Sequence, residues 1–299
     1  MMGTGSSLGH TTVAVWIDDE LYIVESQDGW YWSKHGIQRN KYDDWMKNAL
    51  NADFNVYWIP LKEEIRKNFD EDKAKEFFLS KEGLNYGYHN FLFPWLDGNN
   101  NLPKFIDYKI IMPLFSIFEK LAPTVFNKII GEALNIRIKK LDYESNSNLQ
   151  GLKELKTKNL DTSNLLNLNQ IVSAAAKHNM TFEDLVAIPE EYGWKYSDGE
   201  NFVCSCFVTA FLKAGGAFGD LEILPQEFGP KDLYQTNLWN NNSDSRPEVC
   251  KTADPNFPFC QIMGKWRIEF KGVNSINPYS HMNEKCDSVG PEFVRNDGC

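Results

Sequence analysis

The stretch from Gly199 to Gly216 constrains this chain most. It opens on Gly199-Glu200-Asn201 and runs through Phe202-Val203-Cys204-Ser205-Cys206-Phe207-Val208-Thr209-Ala210-Phe211-Leu212 to a Gly215-Gly216 stop. This reads as a turn, a mostly apolar helix and a glycine terminator. Cys204 falls in its first turns, with Asn201 as the expected N-cap and Ser197-Asp198-Gly199-Glu200 as an alternative capping box. The helix dipole and the free N–H groups there favour a thiolate, which makes Cys204 a nucleophile candidate. Cys206 is about 200° away around a helix, so the two cysteines cannot line one cleft. Cys204 shares a face with Val208, Phe211 and Leu212, and Cys206 with Thr209 and Lys213. That pattern alone sets Cys204 on the core side, where free cysteines are most often found.

An activated thiol also needs an imidazole, oriented through its other nitrogen by a third group. The start of the chain supplies both. Gly9-His10-Thr11-Thr12-Val13-Ala14-Val15-Trp16-Ile17 and Glu20-Leu21-Tyr22-Ile23-Val24-Glu25-Ser26 are strand-like runs around Asp18-Asp19. A hairpin turning there brings His10 and Glu25 together to within about a residue of pairing. Gln27 is the alternative orienting group, and His89 in the aromatic loop Gly83–Phe91 is the reserve base. Tyr86 is a candidate for positioning substrate or donating to an oxyanion. Trp30, Tyr31 and Trp32 are candidates for a cleft wall beside Glu25, with Trp32 and Gln27 assigned to substrate binding. His35, His178 and His281 show no partner pattern.

The remaining sequence is read for organisation. Helices are expected near Tyr42–Asn51 and over Lys62–Ser80, and a strand over Phe54–Leu61. Phe105–Ile138 is apolar and helical, kinked by Pro113 and Pro123, and too interrupted by charge to span a membrane. Leu141–Asn167 reads as an exposed connection, followed by short helices over Gln170–Lys177 and Thr181–Val186. Pro230–Trp239 reads as a helix and Lys265–Phe270 as a strand. The 299 residues divide into a domain over 1–240, with a helical insertion at about 105–195, and a cysteine-bearing extension over 241–299 packed on it. A net charge of −10 argues against a nucleic-acid partner. No cofactor or metal is expected, and oligomeric state is open.

Cys250, Cys260, Cys286 and Cys299 crowd a Pro- and Asn-rich tail. They read as two disulfides, with Cys250–Cys260 and Cys286–Cys299 the preferred pairing of three. Zinc is the rival, weakened by the lack of any Cys-x-x-Cys and by His281 being the only histidine nearby. Disulfides, together with acceptor patterns at Asn179 and Asn241, suit a secreted or luminal glycoprotein. The first residues carry no signal peptide. The expectation is either a missing upstream start or, for a chain complete as written, a cytoplasmic protein with reduced cysteines.

The order histidine, acid, cysteine resembles the circularly permuted branch of the papain-like group, the YiiX-like and permuted NlpC-type proteins. Three places carry the resemblance: Gly9–Trp16 with Tyr22–Glu25, Gly83-Leu84-Asn85-Tyr86-Gly87, and Phe202-Val203-Cys204-Ser205-Cys206-Phe207-Val208. The resemblance implies an α+β, papain-like fold in permuted order, with a small antiparallel sheet on a central cysteine-bearing helix. It implies Cys204 as nucleophile, His10 as base and Glu25 as orienting acid. The activity implied is that of a thiol hydrolase or acyltransferase acting on an amide, ester or thioester, peptidic or lipid-linked. Members usually begin with a strand and a Gly-Asp turn upstream of the histidine, whereas nine residues precede His10 here. Two other readings remain: a catalytically silent binding or structural protein of this fold, and a lipid-surface protein using Phe105–Ile138.

Overall fold

The computed structural model describes residues 8–28, 34–88, 108–145, 165–182, 185, 201–253, 259–267 and 270–278. It is a mixed α+β arrangement with small antiparallel sheets. Strands β1 (Val13–Ile17) and β2 (Glu20–Gln27) pair antiparallel around Asp18-Asp19. Both turn residues have positive φ, 51° and 60°, as a two-residue hairpin loop of matching twist requires. Val13 pairs with Val24 and Ile17 with Glu20, one residue out from the register expected for His10 and Glu25. The shift matters because a one-residue slip exchanges faces. In the expected register Glu25 sits on the face opposite His10. In the observed one Thr12 continues the ladder opposite Glu25, and His10 lies diagonally beyond it on the same side. Strand β3 (Gly36–Lys41) pairs along the other edge of β2, completing the order β1-β2-β3.

Helix α1 (Tyr42–Asn51) begins directly after β3 and buries Trp45 and Ala49, with Ile23 of β2 beside them. Strand β4 (Val56–Trp58) is shorter than the expected run and stops before Pro60. The helix expected over Lys62–Ser80 is two, α2 (Glu63–Asn68) and α3 (Glu71–Lys81). Asp70 breaks them, capping α3 by accepting the Lys73 N–H at 3.0 Å. The break turns Phe69 inward against Gly215, where a Cβ would come within 2.2 Å of the Phe69 ring.

The helical segment runs α4 (Tyr108–Leu121), α5 (Pro123–Phe126), a π-helical turn over Asn127–Gly131, and α6 (Glu132–Ser145). Where kinks are expected, the run is broken before Pro123, which opens α5, while α4 continues through Pro113. The connection expected from Leu141 is helical as far as Ser145, and residues 146–164 lie outside the described residues. Helix α7 (Leu168–Lys177) starts earlier than expected, because Asn167 and Gln170 form a capping box. Phe126, Leu134, Ile138, Ile171 and Leu185 form a buried cluster of their own within this segment. Leu114, Ile117 and Leu121 of α4 are exposed. Among the described residues no helix is long and apolar enough to cross a membrane.

Helix α8 (Cys204–Ala214) is buried from Cys204 through Leu212, on every side rather than along a stripe. The main core gathers around it: Val15, Ile17 and Val24 from the hairpin, Phe78 from α3, and Phe207 and Phe211 from α8 itself. Helix α9 (Pro230–Gln235) ends short of the expected Trp239. Beyond it Thr236 bridges to Ile276 and Trp239 to Leu61. Helix α10 (Glu248–Ala253) leads to β5 (Cys260–Met263), which pairs antiparallel with β4. Of the strand expected over Lys265–Phe270, residues 265–267 and 270 are not in a strand, and Ile268 and Glu269 lie outside the described residues. Gly264, at φ +112°, presses against Asn55, and Asn55 takes the Trp266 N–H, so residues 265 and 266 bend away. Cys250 and Cys260 form a disulfide that ties α10 to β5. Cys286, Cys299 and His281 lie outside the described residues.

Candidate active site

Helix α8 begins at Cys204 itself, with Val203 in the N-cap position (φ −78°, ψ 169°) and no side-chain cap. The expected Asn201 cap is not used. Cys204 thus stands at the first helical position, where N–H groups lack intrahelical partners. The backbone N–H of Ser205 and that of Thr11 each hydrogen-bond the Cys204 sulfur, and the Cys204 N–H donates to the Tyr86 hydroxyl. Tyr86 is brought there by a parallel bridge to Phe202 and by the Gly87 N–H on the Phe202 carbonyl at 3.0 Å. Ser26 of β2 donates to the same carbonyl at 2.6 Å, so the sheet, the Tyr86 loop and the helix entry meet at one atom. The loop can approach because residue 36 is glycine. Its φ is +92°, and a Cβ there would lie 2.1 Å from the Leu84 carbonyl oxygen.

His10 precedes β1 and bridges the two sides of the site. One ring nitrogen, Nε2, lies 2.8 Å from Glu25 Oε2, and the ring also hydrogen-bonds Cys204. The His10 side chain is 22% exposed and that of Glu25 fully buried. Glu25 Oε1 accepts from Trp45 Nε1 at 3.0 Å and from Asn40 Nδ2 at 3.2 Å. A buried carboxylate costs several kcal/mol of lost hydration unless its oxygens are met by donors. Here the segment before β1, strand β3 and helix α1 supply three. Sequence reading missed Asn40 and Trp45, whose placement depends on how β3 and α1 cross β2.

The electrostatics follow from this packing. Burial disfavours a charged His10 ring, but the Cys204 and Glu25 charges and hydrogen bonds outweigh it and push its pKa from 6.5 up to about 10. Burial likewise disfavours the Cys204 thiolate. The His10 charge and hydrogen bond, with the Thr11 and Ser205 N–H groups, overcome this and hold the thiol below its ordinary value. Both shifts favour the thiolate–imidazolium form of the pair. Burial, then the Cys204 and Asp28 charges, push the Tyr86 hydroxyl well above its ordinary range, so Tyr86 keeps its proton.

The two cysteines do face apart, but with roles opposite to those their faces suggest. Cys206 packs in the core, its thiol directed at the Gln226 carbonyl at 3.1 Å, while Cys204 faces His10. Helix periodicity could not show this, because α8 has no solvent face against which to judge the other sides. Glu25, not the alternative Gln27, meets His10. Gln27 is buried and paired with Gly36. Trp30, Tyr31, Trp32 and His89 lie outside the described residues. His35 is exposed. His178, which shows no partner pattern along the chain, has two partners: Asp142 Oδ1 at 2.8 Å from Nε2 and Ser145 Oγ at 3.2 Å from Nδ1. Among the described residues no group of three His, Cys, Asp or Glu side chains is placed to hold a metal ion.

Comparison with protein-family models, with curated proteins and with solved structures finds no match to this chain.

Proposed function

We propose that the protein is a thiol hydrolase or acyltransferase that forms an acyl-enzyme on Cys204, on a papain-like fold in permuted order. The observation that carries the reading is the hydrogen-bonded chain Cys204–His10–Glu25 at an uncapped helix start, with the thiol lowered and the imidazole raised. The Cys204 thiolate attacks the carbonyl carbon of an amide, ester or thioester. The His10 imidazolium gives its proton to the departing nitrogen, oxygen or sulfur as the carbonyl bond to it breaks. Neutral His10 then takes a proton from water or an acceptor hydroxyl, which attacks the acyl-enzyme and restores thiolate and imidazolium. Glu25 keeps the ring turned and balances its charge, itself fixed by Trp45 and Asn40. Tyr86, protonated and beside the Cys204 N–H, is a donor for the oxyanion.

Alkylation by iodoacetamide at mildly acidic pH tests this. The native protein should label rapidly at one cysteine, Cys206→Ala should behave as native, and Cys204→Ala should lose the reaction. Slow, equal labelling of both cysteines would remove the activated thiolate and with it the enzyme.

A further inference from the structure

The His10 end of β1 borders a space that the acyl-transfer chemistry leaves unused. A cavity of about 170 Å³ is lined by His10, Thr11 and Thr12. It adjoins a larger one of about 400 Å³, with Thr12, Trp45, Tyr57, Val208 and Trp239 common to both. Residues 12–16 line the larger space without a gap, and residues 56–61 line its opposite side in the same way. Successive strand side chains point to opposite faces, so an unbroken run lines a space only when that space lies along the strand's edge. β1 pairs with β2 on one side, and among the described residues no strand pairs along its other side. On one face of this edge lie Val208, Phe211 and Leu212 of α8; on the other lie Tyr42, Trp45 and Met46 of α1.

An edge of this kind presents main-chain N–H and C=O groups to the crevice. Beside His10, the buried Thr11 Oγ1 has no hydrogen-bond partner among the described residues. A hydrocarbon chain would suit the apolar walls but leave these polar groups unmet. An extended polypeptide meets both demands, pairing with the edge while its side chains enter the walls alternately. Because both walls are apolar, the fitting segment is an unbroken apolar run rather than an alternating one.

We propose that the crevice between β1 and residues 56–61 binds the substrate as an extended apolar polypeptide added as a strand to β1, its end lying at His10. This rests on the acyl-transfer reading and narrows its substrate to a peptide amide. The occupant is argued from the continuity of the crevice with His10, from the free edge of β1, and from the unpartnered Thr11 hydroxyl.

The test uses the full chain carrying Cys204→Ala, so that nothing turns over. It is titrated with the capped peptide acetyl-Thr-Val-Ile-Val-Ile-Thr-amide and followed by tryptophan fluorescence and by amide hydrogen exchange. Saturable binding with slowed exchange over residues 13–17 is expected. Affinity should fall roughly tenfold or more when alternate peptide nitrogens are methylated, and as much when Ala14→Trp blocks the edge. Equal binding of the methylated peptide, or binding of hexadecanoate in place of either, would show an apolar slot without strand addition and overturn the proposal. So would the lack of saturable peptide binding. Iodoacetamide labelling of the chain with Cys204 intact reports on the thiolate alone, so failure of the acyl-transfer reading is distinguishable from failure of strand addition.

Discussion

The chain holds two arrangements of the same three elements: a nucleophile-type side chain, an imidazole and a carboxylate. One is Cys204–His10–Glu25; the other is Ser145–His178–Asp142 in the helical segment. The imidazole–carboxylate distance is 2.8 Å in both. What differs is the setting. Glu25 is fully buried and held by Trp45 and Asn40, whereas Asp142 is 54% exposed. Cys204 opens its helix, where unmet N–H groups and the positive dipole end favour an anion; Ser145 closes its helix, where the dipole opposes one. His178 sits in the C-cap position of α7, a place that suits an imidazole as a structural tie between α6 and α7. On the proposed reading, matching distances serve chemistry at one place and a structural tie at the other, and the helix end separates the two.

The largest expected effect comes from removing the imidazole from the buried set. His10→Ala should slow iodoacetamide labelling of Cys204 at about pH 5.5 by roughly 10²-fold or more, since the thiolate loses its neighbouring cation. His178→Ala should leave labelling unchanged, and an equal loss in both variants would erase the distinction. Next comes Glu25→Gln, which leaves the Trp45 and Asn40 donors facing an amide and frees the ring to turn. Turnover of a thiol-dependent substrate should fall by about 10²-fold, with Asp142→Asn neutral in the same assay.

The distinction extends to pH. His10 is raised from 6.5 to about 10 in the folded protein, so its contribution to stability is complete below about 6.5 and is lost as pH rises through about 10. Cys204 is lowered, so its contribution is present above the ordinary thiol range and is lost as pH falls through the depressed value. Both describe one ion pair, whose window lies between those two titrations. Urea denaturation compared across pH should therefore show native and His10→Ala stabilities converging near pH 10 and above. A constant difference from pH 7 to pH 11 would contradict the ion pair.

Much of this site was legible because it rests on short-range rules. The Asp18-Asp19 turn, the histidine and acid on its two arms, and the cysteine at a helix start follow from spacing, β-propensity and the glycine stop. The face shared by His10 and Glu25 was not legible, since register was judged one residue away. Asn40 and Trp45 had no signal at all, because Glu25 becomes their partner only after β3 and α1 have packed. The break between α2 and α3 left a trace in Asp70, a good N-cap inside what reads as one helix. The strand expected over Lys265–Phe270 shows propensity overruled by contact: Gly264 and Asn55 bend the chain, and β4 pairs with β5 instead. The His178 set escaped because its acid and hydroxyl come from α6, part of which had been assigned to a connection.

The smallest expected effect concerns that second set. His178 is only 13% exposed, but its carboxylate partner is 54% exposed, so the pair is screened by water and contributes roughly 0–1 kcal/mol. His178→Ala should therefore lower global stability by no more than about 1 kcal/mol in urea denaturation. Its effect should instead be local, seen as faster amide exchange at the C-terminal turn of α7 and the end of α6, where Asp142 and Ser145 lose their shared partner. Ser145→Ala tests the hydroxyl separately. If it acts only as a hydrogen-bond partner, thiol labelling and turnover stay at the native level while exchange at the helix ends rises slightly. A loss of turnover in Ser145→Ala would instead make the His178 set part of the chemistry, and the helix-end argument that separates the two would fall.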